Sequence, residues 1–157
     1  MKLKTEILAI ALALAASTSL VWSADRPPRE TTPTIQGVWQ VARHGVDCNT
    51  GEELSSFPAI MTFHRDGTVT GDTGALVGET NEYGSWQREP GSQNYSFREL
   101  FLSTDENGAL ASSAVITASV HLDSANSWTY SATIEIFDAD GNLIFTACGR
   151  GTATRFQ

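Results

Sequence analysis

After residue 4 the chain contains no lysine. That absence excludes Schiff-base catalysis and the lysine-dependent phosphate cradle of P-loop proteins. Basic side chains of any kind are scarce. From Ala24 onward, eight arginines (26, 29, 43, 65, 88, 98, 150 and 155) stand against 17 acidic residues, a net charge of −9. Phosphate binding needs clustered positive charge, so nucleic acid is not an expected partner. Cysteine is limited to Cys48 and Cys148, and no histidine lies at ligand spacing from either. Two sulfurs alone make a poor zinc site, and neither a metal nor another cofactor is expected. The chain also lacks a Gly-x-Ser-x-Gly nucleophile turn, so no catalytic residue is assigned. No stretch combines a 3.6-residue apolar period with helix caps.

What is present begins with Lys2 and Lys4, followed by the apolar run ILAIALALAA at 7–16. Ser17, Thr18 and Ser19 interrupt it well short of the roughly 18 apolar residues of a spanning helix. Val21 and Ser23 satisfy the small-residue rule for cleavage after Ser23, so residues 1–23 read as a signal peptide. The expected location is outside the cytoplasm, periplasmic or secreted. In an exported chain two cysteines normally form one disulfide. ADRPPRETTPT (24–34) reads as an extended, poorly ordered lead-in. Residues 35–157 remain as one domain, a size that supports one real core.

Nearly every later segment reads as strand. Residues 35–44 alternate, with Trp39 and Val41 on one face, and FPAIMTFH (57–64), TVTG (68–71), SWQRE (85–89) and NYSFRELFLS (94–103) follow. LASSAVITASVHL (110–122), SWTYSATIEIF (127–137) and LIFTACGRGTATRF (143–156) complete the set, with GDTGALVGETNEYG (71–84) as the longest loop. Short strands joined by hairpin-type turns predict an antiparallel meander, and closure into a barrel would remove its two exposed edges. A Cys48–Cys148 bond strengthens closure, because it requires first and last strands to lie within about 7 Å. A β-sandwich would satisfy the same bond. The fold class expected is all-β, an eight-stranded antiparallel up-and-down barrel. The last strand lacks a lipid-facing apolar row: Arg150, Thr152 and Thr154 share one face, and Gly149, Gly151, Ala153 and Arg155 the other. Membrane insertion is therefore not expected.

Gly37-x-Trp39 on the first strand, with Arg155 near the end of the last, resembles the signature of the lipocalin/calycin superfamily. The superfamily's other two signatures have no counterpart here. The resemblance implies an eight-stranded barrel whose floor is closed by the tryptophan, with the arginine packed over its indole. A guanidinium on an indole face contributes about 0.5–2 kcal/mol, and Gly37 lets the backbone pass closely. The spacing of Gly-x-Trp (37–39), Asp-Cys…Gly (47–51), Phe…Thr-Phe-His…Gly (57–67) and Gly-x-Trp (84–86) is also similar to small secreted bacterial barrel proteins. That second likeness implies no particular activity.

An eight-stranded barrel is either filled by its own side chains or holds one small ligand. The candidate lining is Met61, Phe63, Tyr95, Phe97, Glu99, Phe101 and Tyr130. Glu99 is the ambiguous member: it shares parity with Tyr95, Phe97 and Phe101, yet Leu100 and Leu102 define an equally apolar face. If it points inward, burial raises its pKa. Arg98 then points the other way, and Glu135 reads as outward. His44, His64 and His121 each stand near a strand end and read as exposed. Asp138–Asn142 carries acids and a glycine but no distal glutamate at calcium-loop spacing, so it reads as a hairpin turn. The function expected is binding of a small apolar ligand, without catalysis. Two alternatives stay open: a cyclase- or isomerase-type barrel enzyme with Glu99 as acid/base, and a filled barrel acting through its surface as an interaction module. Non-reducing peptide mapping of the exported protein should recover Cys48 and Cys148 in one linked pair. Two free thiols would remove the argument for closure.

Overall fold

The computed structural model describes residues 33–73 and 78–157. The signal peptide read over 1–23, and the lead-in over 24–34 apart from its last two residues, lie outside the described residues. Eight strands follow: β1 (Gly37–Val46), β2 (Glu53–Phe63), β3 (Thr68–Asp72), β4 (Glu82–Arg88), β5 (Asn94–Thr104), β6 (Leu110–Ser124), β7 (Ser127–Asp138) and β8 (Leu143–Arg155). Each pairs antiparallel with the next, and β8 returns to β1. The architecture is a closed up-and-down barrel, not a sandwich. Closure runs from Trp39 opposite Arg155 to Val46 opposite Cys148. The Cys48–Cys148 disulfide ties the turn just after β1 to β8, with α-carbons 5.2 Å apart. By the loop-entropy argument a cross-link of this span stabilises by about 4–5 kcal/mol.

Period-2 alternation is what places side chains inside. Trp39, Val41 and Arg43 of β1 are buried while Gln40 and Ala42 are exposed, and β6 alternates the same way from Ala114 to Leu122. Two strand starts differ from the sequence reading by more than two residues. β2 begins at Glu53 because its first residues pair with the end of β1. β4 begins at Glu82, inside the stretch read as loop, because Glu82 and Tyr83 pair with Gly71 and Thr70. Both extensions are made by ladders to distant residues, which local composition does not report. The loop shrinks to residues 73–81, of which 74–77 lie outside the described residues.

The two ends of the barrel differ. At one end Trp39 and Trp128 are fully buried and meet edge-to-face with ring centres 5.9 Å apart. Phe63 packs edge-on against Trp128, Phe97 and Trp86. Trp39 donates its indole N–H to the Ile35 carbonyl at 2.7 Å, holding the entering chain across the opening. Arg155 lies 4.1 Å above the Trp39 ring centre. Its guanidinium also donates to the carbonyls of Thr34, Gln36 and Ala125, each at 2.7 Å. Gly37 has φ +127°, and a β-carbon there would run into Arg155 Nη1. Position 37 therefore requires glycine for two reasons, backbone conformation and space. This end is sealed by side chains. The other end is uneven, because β3 and β4 have 5 and 7 residues where β5 to β8 have 11 to 15.

Trp39→Ala should destabilise by about 3–5 kcal/mol in denaturant titration, the cost of a large cavity in a closed floor. Arg155→Ala should cost less, and the double variant should show coupling, since one side chain lies on the other. Strictly additive effects would mean that the guanidinium–indole contact contributes nothing.

Candidate functional site

Alternation along β1 carries Arg43 inside with Trp39 and Val41, and its side chain is only 5 % exposed. Burying a guanidinium without a partner is prohibitive, and its partner arrives from β4. Glu82 receives Arg43 Nη1 on Oε1 at 2.5 Å and Nη2 on Oε2 at 2.6 Å, a bidentate pair inside the barrel. Glu82 is 3 % exposed. Gly71, opposite Glu82 in register, makes room for this pair. A β-carbon at 71 would overlap the Glu82 carboxylate and press on Arg43 Nη2.

Glu99 of β5 points inward, which resolves the ambiguity of its parity, and is 1 % exposed. Its Oε2 lies 3.7 Å from Arg43 Nη2, and neither carboxyl oxygen makes a hydrogen bond. Burial, followed by the negative charge of Glu82, pushes its pKa up to about 8, against the opposing pull of Arg43. At neutral pH Glu99 is therefore mostly protonated, and the triad carries one positive and one negative charge. Burial also pushes the Tyr130 phenol up to about 12, so it remains a donor throughout the physiological range. For Arg43 itself burial is the largest single influence and acts downward. The hydrogen bonds and charge of Glu82, with smaller contributions from Tyr130 and Glu99, outweigh it and raise the pKa.

Beside this triad lies a cavity of about 60 Å³. Phe57, Phe97, Ile116, Ala132 and Ile134 form its apolar wall, and Gly45 and Gly149 its side along the β1–β8 seam. Arg43, His44 and Tyr130 supply its polar groups. His44 is half-buried and stands 3.0 Å from the Glu53 carboxylate. Arg43 Nε is buried and has no hydrogen-bond partner among the described residues. Two larger hollows, of about 750 and 640 Å³, lie on the outside of the wall. Outward residues such as Ser96, Ser119 and Thr129, or Gln40, Thr152 and Thr154, line them, and the buried charges face the other way.

The candidate lining residues separate by level. Phe97 and Tyr130 line the cavity, with ring centres 6.1 Å apart. Met61, Phe63 and Tyr95 are packed core, the last two ringed by Trp86 and Trp128 at the sealed end. Glu99 faces the triad, and Phe101 is half-buried nearer the mouth. Gly37, Trp39 and Arg155 form the floor described above. His64 and His121 are exposed and bond to Thr70 and Asn94, far from His44. Asp138 accepts from Asp140 and Asn142 within its own hairpin turn. Arg88 and Arg98 are exposed, so neither is the interior cation.

Arg43 and Glu82 are the members that the sequence reading missed. Arg43 had a usable signal, since it continues the inward parity of Trp39 and Val41. Glu82 had none, because it joins β4 only through its pairing with Gly71. No protein-family model matches this chain, and no curated protein is significantly similar to it.

Removing either partner of the Arg43–Glu82 pair should cost about 3–5 kcal/mol, because the survivor is left charged and buried. Glu82→Gln is the milder probe, and thermal melting should report a lower midpoint. Glu99 gives a pH signature of defined sign. Its folded pKa lies above its unfolded value, so the native state binds more protons than the unfolded one. Its contribution is full below about pH 4 and is lost as pH rises toward and through about 8. Glu99→Gln should flatten the fall in melting temperature across that window. An unchanged profile would mean that Glu99 is ionised in the folded protein at neutral pH.

Proposed function

We propose that this chain is an exported, lipocalin-like barrel that binds a small, largely apolar molecule at its open end. One observation supports this reading above the rest: a cavity beside the mouth that is walled by Phe57, Phe97, Ile116 and Ile134 and lined also by Arg43, whose buried Nε has no hydrogen-bond partner among the described residues. Concave apolar sites with a few convergent polar groups are the usual form of small-molecule sites. The Cys48–Cys148 disulfide is compatible with the oxidising location that an exported protein would meet. Inward positions at the mouth continue the apolar lining: Phe101 and Ile136 are half-buried, and Phe145 pairs with Ile136 on the same face. The tail of a ligand would rest there.

A barrel enzyme with Glu99 as proton donor is a second reading. The observation that favours it is a buried carboxyl that keeps its proton to about pH 8. It requires a substrate atom to reach a side chain that is 1 % exposed.

The neutral fluorescent probe N-phenyl-1-naphthylamine should bind the mature protein saturably at micromolar concentration. Ala132→Leu, which fills the cavity without touching a charge, should abolish binding while leaving the melting temperature near that of the parent. No saturable binding to the parent would leave the surface-acting interaction module as the better reading.

A further inference from the structure

Resting on the reading above, we propose that the cavity is a head-group subsite for an uncharged hydrogen-bond acceptor. The group is the carbonyl oxygen of a ketone, ester or amide, held by Arg43 Nε–H and the Tyr130 hydroxyl. A carboxylate or an ammonium is the wrong head for it.

The donor inventory comes first. A guanidinium has five N–H groups and no acceptor. Arg43 commits Nη1 and Nη2 to Glu82, while Nε is buried with no partner. An unsatisfied buried donor costs about as much as a lost hydrogen bond, so its natural complement is an acceptor from elsewhere. Tyr130 lines the same cavity, and its hydroxyl makes no hydrogen bond among the described residues. Its raised pKa keeps it a donor. Both residues line one space of about 60 Å³, which is roughly two water volumes. That space fits a head group, with the rest of the molecule lying outward on Phe101 and Ile136.

Charge then selects among heads. Glu82 already neutralises Arg43, and Glu99 shares the same cation at 3.7 Å. With Arg43 neutralised by Glu82 and Glu99 protonated, a ligand carboxylate would bring an uncompensated charge beside Glu82 into a dry interior, where like charges repel strongly. An ammonium would be desolvated against Arg43, which lines the cavity directly. A carbonyl oxygen meets both donors and adds no charge. His44 also lines the cavity, with its Nδ1 3.0 Å from the Glu53 carboxylate at the rim but without a hydrogen bond among the described residues.

Calorimetry of the mature protein at pH 7 with 2-octanone, octanoate and octylammonium tests this directly. The ketone should bind about tenfold more tightly than either ion, the discrimination typical of a site whose donors would otherwise go unpaired. Arg43 variants risk unfolding, so Tyr130→Phe is the diagnostic substitution. It should weaken 2-octanone several-fold more than it weakens N-phenyl-1-naphthylamine, which has no carbonyl for the hydroxyl to hold. Equal or tighter binding of octanoate or octylammonium, or a Tyr130→Phe variant with unchanged ketone affinity, would overturn the subsite while the naphthylamine still binds. Loss of every ligand, the naphthylamine included, would overturn the binding reading and the subsite with it.

Discussion

Strand β1 hydrogen-bonds on both edges, to β2 and to β8, and the rest of the structure depends on that double pairing. A sheet with free edges has two faces that solvent or another layer can reach. A closed one has an inside. Once β1 is shared, every second residue on each strand is committed to an interior of fixed size, and the remainder face solvent. Closure also makes the two ends inequivalent. Ile35, Trp39, Trp128 and Phe63 seal one end, and Arg155 ties the incoming chain over it through three carbonyls. The short β3 and β4 leave the wall lower on one side of the other end.

The charged triad sits above that aromatic floor and follows from the same commitment. Arg43 cannot turn outward without reversing the parity of Trp39 and Val41, so the barrel must supply an anion inside. Glu82 does so in a bidentate geometry that Gly71 leaves open. Buried ion pairs are weak sources of stability but costly to break. This one fixes β4 against β1 across the lumen, on opposite walls that share no backbone pairing. Glu99 is the remainder of the arrangement: a second carboxyl for one cation, which stays in the interior chiefly by keeping its proton.

These facts assign different work to different levels of the barrel. The floor is aromatic, tightly interlocked and without room for a guest. The level above it combines small residues at Gly71, Ala132, Gly149 and Gly151 with the polar groups of Arg43 and Tyr130. Gly151 illustrates why small residues gather there: a β-carbon would collide with the Tyr130 ring and with the Ala42 carbonyl. The tyrosine is thereby laid against β8, with its hydroxyl near the arginine. A site of this kind is held on strands and needs little rearrangement to remain formed.

Much of the fold was legible in the sequence. Period-2 alternation, turn residues between the runs, and one cysteine near each end together specify antiparallel strands whose first and last members meet. The floor was legible too, through the resemblance of Gly37, Trp39 and Arg155 to a known barrel signature that implies the contact they make. The triad was not. Arg43 carried the right parity, but a charge on an apolar stripe is ordinarily read as solvated until its partner is known. Glu82 lies at the start of β4, where its strand character comes from pairing with Gly71 of β3. The inward turn of Glu99 depended on which of two apolar faces of β5 met the lumen, a choice alternation alone leaves open because both faces qualify. The sequence by itself thus determined which segments form the core of each strand and favoured their closure. Tertiary structure alone decided which charges are inside, because burial of a charge depends on partners brought together across the barrel from positions 39 residues and more apart.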